Sequence, residues 1–208
     1  MIAVVDYGRG NLFSLGNALA HVGAEFEITS DPGRVAEAHK VVLPGVGAYA
    51  DCMDNLKRRG LAEPVCDAAR RGVPLLGICV GCQILLDAGE EFGLTEGLGL
   101  VPGVVRRLPD PKPGDADAIR IPNVGWRPLE IIAQEPLFGG TEAGTMMYFV
   151  HSFAPVPAQP EDIAATISFN GTSAAVAIGR GNVHGVQFHP EKSGPAGLAI
   201  LRRFVEHP

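Results

Sequence analysis

The chain has 208 residues, enough for one domain whose core needs neither disulfides nor metal. Only 19% of its residues are charged against 46% hydrophobic, which excludes a disordered chain. The net charge is −6, and no basic run is longer than short clusters such as Lys57-Arg58-Arg59 and Arg106-Arg107, which excludes a protein built to grip a phosphate backbone.

No apolar run reaches the roughly 18 residues of a membrane span. The start, Met1-Ile2-Ala3-Val4-Val5-Asp6, has no basic segment and carries an acid early, so neither a signal peptide nor a membrane is expected. A cytoplasmic protein with its cysteines as thiols is the expectation. Residues 2–5 read as a strand ending at Asp6-Tyr7-Gly8. Residues 11–20 read as a helix, with Asn11 as its N-cap and Gly23 as its stop. Residues 26–29 and 40–43 are strands, the second closed by Pro44-Gly45. Helices over 48–59 and 64–71 follow, then a buried strand over 74–78. Continuous apolar runs between helices mean strands covered on both faces, hence a parallel sheet. Beyond them, residues 101–108, 129–132, 146–150, 163–169, 174–178 and 183–188 are strand-like. Asn170-Gly171 and Arg180-Gly181-Asn182 read as hairpin turns. Residues 109–117 read as an exposed loop and 196–205 as a closing amphipathic helix. The expectation is one α/β domain over residues 1–208. It has a central, mostly parallel sheet, helices on both faces and an antiparallel addition.

The strongest chemical signal is Gly77-Ile78-Cys79-Val80-Gly81, after a buried strand and before a helix expected over 81–86. It is the thiol version of a nucleophile elbow, whose turn is too sharp for side chains on either flank. The N–H of Val80, just after the cysteine, is the natural oxyanion donor. Cys79-Val80-Gly81-Cys82 is also a C-x-x-C, which leaves a thioredoxin-like redox pair open. A Cys79–Cys82 disulfide that silences the enzyme is a further expectation, opposed by the possibility that Cys82 points down into the sheet. Cys52 and Cys66 do not complete a second C-x-x-C, so no metal is expected. Downstream, Gln187-Phe188-His189-Pro190-Glu191 supplies a base and an orienting carboxylate on one segment. Side chains two apart at a strand end point the same way, which puts Glu191 on the His189 imidazole. The other five histidines are expected to be structural or exposed. Leu43-Pro44-Gly45-Val46-Gly47 lets backbone N–H groups approach a ligand and suits a second oxyanion donor.

These segments together resemble the class I (triad) glutamine amidotransferases. Within that family they are similar to the glutaminase subunits of imidazole glycerol phosphate synthase. The resemblance runs end to end: Asp6-Tyr7-Gly8-Arg9-Gly10-Asn11, the Pro44-Gly45-Val46-Gly47 loop, the Cys79 elbow, Tyr148-Phe149-Val150-His151-Ser152 and Gly185 to Ser193. It implies hydrolysis of glutamine through a Cys79 thioester, without a cofactor. The ammonia would pass to a cyclase subunit, a (β/α)8 barrel. It implies Cys79, His189 and Glu191 as the triad and Val46, Gly47 and Val80 as the oxyanion hole. Gln83, Glu91 and the backbone of His151, Ser152 and Phe153 would contact glutamine. Asn11, Trp126, Tyr148 and Lys192 would meet the cyclase, with Trp126 on a loop beside Gly125. The sequence departs from the family's I-P-H-M-G-W-N at Asn123, Val124 and Arg127, and has Cys82 where Met is usual. The departures leave a paralogue serving another acceptor, such as one for sugar amidation, as the alternative.

Overall fold

Residues Ile2–Val5 form a strand buried along its whole length, as an apolar run between helices requires (β1). In the computed structural model, which describes residues 1–112, 119–133 and 136–206, this strand sits inside an eight-stranded sheet. Helix α1 (Leu12–His21) follows, capped as expected by Asn11, whose Oδ1 accepts from Ser14 N. Strand β2 (Phe26–Thr29) pairs parallel with β1. Helix α2 (Pro32–Ala36), with Asp31 as its cap, is too short to show a helical period in sequence and was not foreseen. Strand β3 (Lys40–Gly45) continues two residues past the expected break, because its Pro44 lies at the strand's end. Helices α3 (Tyr49–Arg58) and α4 (Ala62–Arg70) precede strand β4 (Leu75–Cys79), every residue of which is buried.

After β4 comes a single-turn helix, α5 (Val80–Gln83), shorter than the expected 81–86. The chain then leaves the main sheet through β5 (Leu86–Gly89), β6 (Thr95–Glu96) and β7 (Val101–Arg107). Strands β8 (Asn123–Pro128) and β9 (Glu130–Ile131) follow, then β10 (Met146–His151) and β11 (Phe153–Pro157). The chain closes with β12 (Ile163–Phe169), β13 (Thr172–Arg180), β14 (Val183–Val186) and helix α6 (Gly194–Glu206).

The main sheet runs β2-β1-β3-β4-β14-β13-β12-β9. Its first five strands are parallel and the rest antiparallel, as expected. Two smaller sheets add to it: β11-β7-β5-β6, and a ribbon in which β8 and β10 pair antiparallel. Strand β11 carries two prolines and is tolerated because it is an edge. Helix α1 packs with α6, while α4 packs with both α2 and α3. The expected exposed loop falls partly on residues 113–117, outside the described residues. No helix among the described residues is long and apolar enough to cross a membrane.

The junction of β4 and α5 has no linking residue, so Cys79 takes φ 57°, ψ −114°, a strained conformation for a side-chain-bearing residue. The turn closes only because its flanks are glycines. A Cβ on Gly77 would come within 2.6 Å of the Gly81 carbonyl oxygen, and one on Gly81 would overlap the carbonyl of Leu43 on β3. Gly81→Ala is therefore expected to destabilise the chain by about 2–3 kcal/mol, the usual cost of overpacking. Urea unfolding measures it, and an unchanged midpoint contradicts the steric account.

Candidate active site

Strand register builds the site. Gly45 of β3 lies opposite Cys79 of β4, so Val46 and Gly47 emerge beside the cysteine. Val186 of β14 lies opposite Ile78, so the chain leaving β14 passes the cysteine on its other side. The expected strand over 183–188 stops at Val186; Pro190–Lys192 form a short 3-10 turn. That turn, rather than strand alternation, brings Glu191 back onto the imidazole: His189 Nδ1 donates to Glu191 Oε1 at 2.9 Å. The His189 ring shares the cavity with Cys79, which helps to hold a proton on it. Burial alone would lower the His189 pKa, but Cys79 and Glu191 outweigh it and push it up to about 10. The other oxygen of Glu191, Oε2, is buried with no hydrogen-bond partner among the described residues, so the imidazole is what answers the carboxylate charge. Nucleophile, base and orienting acid thus stand in line, the arrangement needed to remove a thiol proton and return it to a leaving group.

These groups open onto a cavity of about 340 Å³, walled in part by Val46, Gly47, Val80, Gln83, Glu91 and Lys192 and by residues 150–153. Val80 is the first residue of α5, so its N–H has no partner within that helix. Gly47 takes φ 99°, a conformation that suits glycine. Gln83 directs Nε2 at Phe153 O and at Gln187 Oε1, both at 2.9 Å, and so offers its own Oε1 to a ligand. Glu91 Oε2 accepts from the N–H of Tyr49 at the start of α3 (2.7 Å), which holds a carboxylate at the cavity wall.

Several residues around the site have no role assigned from the sequence. Behind the loop after β3, Tyr7 Oη donates to Pro44 O at 2.7 Å and Cys52 Sγ donates to Val46 O at 3.5 Å. Burial pushes the Cys52 thiol up to about 11, so it stays a donor. Gln187 Nε2 lies 3.8 Å from Cys79 Sγ. Ser193 Oγ donates to His189 O (2.7 Å) and accepts from Tyr148 N (2.9 Å), while His189 N donates to Tyr148 O (3.0 Å). Each is a polar group whose role depends on a distant segment, which local patterns do not report.

The redox expectations fail on geometry. Cys82 is fully buried and its Sγ rests where a Cβ on Gly185 of β14 would be, 2.6 Å away. It therefore projects down onto the sheet rather than up to Cys79, and both thiols are free. Burial also pushes its pKa well above the ordinary thiol range. Trp126 is likewise not on a loop. It lies on β8, opposite Tyr148 of β10, with ring centroids 5.9 Å apart edge to face. Period-two alternation turns Val124, Trp126, Met146 and Val150 outward, each 40–52% exposed. Lys192 is exposed at the cavity rim, whereas Asn11 is half-buried and committed to its cap.

The His189 geometry sets a pH dependence. Its pKa is about 10 folded against 6.5 ordinarily, so protonation favours the folded chain. That contribution is complete below about pH 6.5 and is lost as pH rises through about 10. The melting temperature of the wild type should exceed that of His189→Asn most at about pH 6, with the gap shrinking towards pH 10. A gap that widens over this range contradicts the assignment.

The glutamine amidotransferase class-I family model matches residues 3–207. The imidazole glycerol phosphate synthase subunit HisH of Moorella thermoacetica is 47% identical over 205 residues, covering 99% of this chain and 94% of that protein. The subunit HisH of Geobacter sulfurreducens is 45% identical over 99% of this chain and 98% of that protein. Among solved structures, PurLQS from Thermotoga maritima superposes with a TM-score of 0.73 at 21% identity, covering 98% of this chain and 96% of that one. The glutaminase domain of Trypanosoma brucei CTPS, with bound acivicin, gives 0.64 at 17% identity, covering 98% and 92%. These structural likenesses speak to the fold, and the match of nearly the whole chain to the family model speaks to descent. The chain belongs to the class-I glutamine amidotransferase family.

Proposed function

We propose that residues 1–208 act as one glutaminase domain, the amidotransferase subunit of an imidazole glycerol phosphate synthase in histidine biosynthesis. The observation that carries the reading is Cys79 sharing one cavity with a hydrogen-bonded His189–Glu191 pair, with a second carboxylate on the cavity wall. Cys79 Sγ attacks the glutamine side-chain carbonyl carbon, its proton already held by the His189 imidazole. The carbonyl oxygen becomes an oxyanion, received by backbone N–H groups at Val46, Gly47 and Val80. Collapse breaks the C–N bond, and His189 returns the proton to the departing nitrogen as ammonia. A γ-glutamyl thioester remains on Cys79. Water, deprotonated by His189, then attacks the thioester, and glutamate leaves with the thiol restored. Glu191 keeps the imidazole oriented throughout and stays ionised. Gln83 and the backbone of His151, Ser152 and Phe153 position the substrate, and Glu91 takes its α-ammonium.

Ammonia released into water near neutral pH is mostly ammonium, which is no nucleophile. Its use in synthesis needs a shielded route to an acceptor, and the described residues hold no second catalytic domain. The outward face of the β8–β10 ribbon, with Trp126 and Tyr148, and the neighbouring Lys192 and Asn11, supply the surface for a (β/α)8-barrel cyclase. Aromatic residues at the centre of a patch are the usual anchors of such contacts.

Cys79→Ala should abolish glutamine hydrolysis and leave ammonia-dependent synthesis by the complex working. Persisting glutaminase activity would refute the nucleophile. His189→Ala should cost several orders of magnitude in kcat and Glu191→Gln less, by the logic of other triads; equal rates in all three proteins would contradict these roles. Trp126→Ala should weaken the heterodimer by about 2 kcal/mol or more. Calorimetric titration with the cyclase checks this, and unchanged affinity refutes the interface.

A further inference from the structure

We propose that Arg127 and Asn123 are positioning residues for glutamine binding: they fix the tautomer of His151 and, through it, the Phe153 carbonyl at the wall of the pocket. The inference rests on the glutaminase reading above. It begins with β8, whose even-numbered residues face outward while Asn123 and Arg127 turn in; Asn123 is fully buried. Arg127 Nε donates to Asn123 Oδ1 at 3.0 Å. A guanidinium has donors only, so this contact decides which way the Asn123 amide points. The amide nitrogen is then the group 2.9 Å from His151 Nε2, and that ring nitrogen must accept.

The other end of the chain agrees independently. His151 Nδ1 lies 2.9 Å from Phe153 O, a carbonyl that can only accept, so the proton sits on Nδ1. Burial pushes the imidazole down to about 4, against the pull of that backbone bond, so the ring is neutral in ordinary buffers. Phe153 O also receives Gln83 Nε2 at 2.9 Å, so one carbonyl is held by two donors. His151, Phe153 and Gln83 all line the cavity. The line Arg127–Asn123–His151–Phe153–Gln83 therefore runs from the strand whose outer face carries Trp126 to the wall of the pocket. Without the Arg127 donor, the amide turns between its two orientations, and in the turned state its oxygen draws the ring proton to Nε2 against the preference of Phe153 O. The Nδ1 lone pair would face the lone pairs of Phe153 O, and that carbonyl would lose its place. Cys79, His189 and Glu191 are not part of the line, so the loss falls on binding.

The test compares two substitutions of matched length, both lacking the rest of the guanidinium, in the full chain assayed with its cyclase. In Arg127→Gln, the amide nitrogen replaces Nε at the same distance along the side chain and still donates. In Arg127→Met, a methyl takes that place and cannot. Arg127→Met should raise KM for glutamine about fivefold, the effect of one lost hydrogen bond, with kcat nearly unchanged. Arg127→Gln should bring KM back to the wild-type value. Nitrogen-15 NMR of the His151 ring should show the Nδ1–H tautomer in the wild type and in Arg127→Gln, and its loss in Arg127→Met. Equal KM values for wild type and Arg127→Met, Gln faring as badly as Met, or an unmoved tautomer would overturn the proposal. The NMR reading stands apart from turnover, so failure of the wild type to hydrolyse glutamine would count against the glutaminase reading alone.

Discussion

Three parallel strands in tight register, β3, β4 and β14, are the constraint on which the site depends. Gly45 pairs with Cys79, and Val186 with Ile78, so the loop, the nucleophile and the base leave the sheet at one level. Close approach is possible because side chains are missing where backbones meet. Gly77 and Gly81 let the elbow turn fold onto β3, and Gly185 leaves room for Cys82 beneath it. The strain at Cys79 is held by this packing, as a strained functional residue must be.

From that register the electrostatics follow. The His189–Glu191 pair is buried, so its hydrogen bond acts in a medium of low dielectric and the imidazole is held as a strong proton acceptor. His151, which lines the same cavity, is paired with an amide and a backbone carbonyl and is driven neutral by burial. Two histidines in one pocket thus take opposite charge states because one is paired with an acid and the other with an amide. The ribbon of β8 and β10 ties both to the surface. Tyr148 holds the His189 backbone from β10, and Asn123 holds the His151 ring from β8. A partner seated on Trp126 and Tyr148 would press on the strands that position both.

The sequence announced what is local. The parallel strands, the Asn11 cap, the elbow and the His-x-Glu segment all have short-range signatures, and each is in place. It was less informative where tertiary contact decides. Strand β8 reads as a loop because Gly125 and its prolines weaken the strand pattern; pairing with β10 overrides that. The C-x-x-C spacing suggests redox chemistry, yet the direction of the Cys82 side chain is set by Gly185, more than a hundred residues away. Tyr7, Gln187 and Ser193 lie in the segments that carry the resemblance, but their bonds to Pro44, Cys79 and Tyr148, like that of Cys52 to Val46, are contacts that no local spacing reports.

The central claim is that one of four buried thiols, Cys79, is made a nucleophile by its place in this register. Incubation with a glutamine analogue carrying an electrophilic carbon at the side-chain position, followed by peptide mass spectrometry, tests it most directly. A single covalent adduct on Cys79, slowed by added glutamine, is expected, with Cys52, Cys66 and Cys82 unmodified. An adduct on any of the other three at a comparable rate, or labelling of Cys79 that glutamine does not slow, would contradict it.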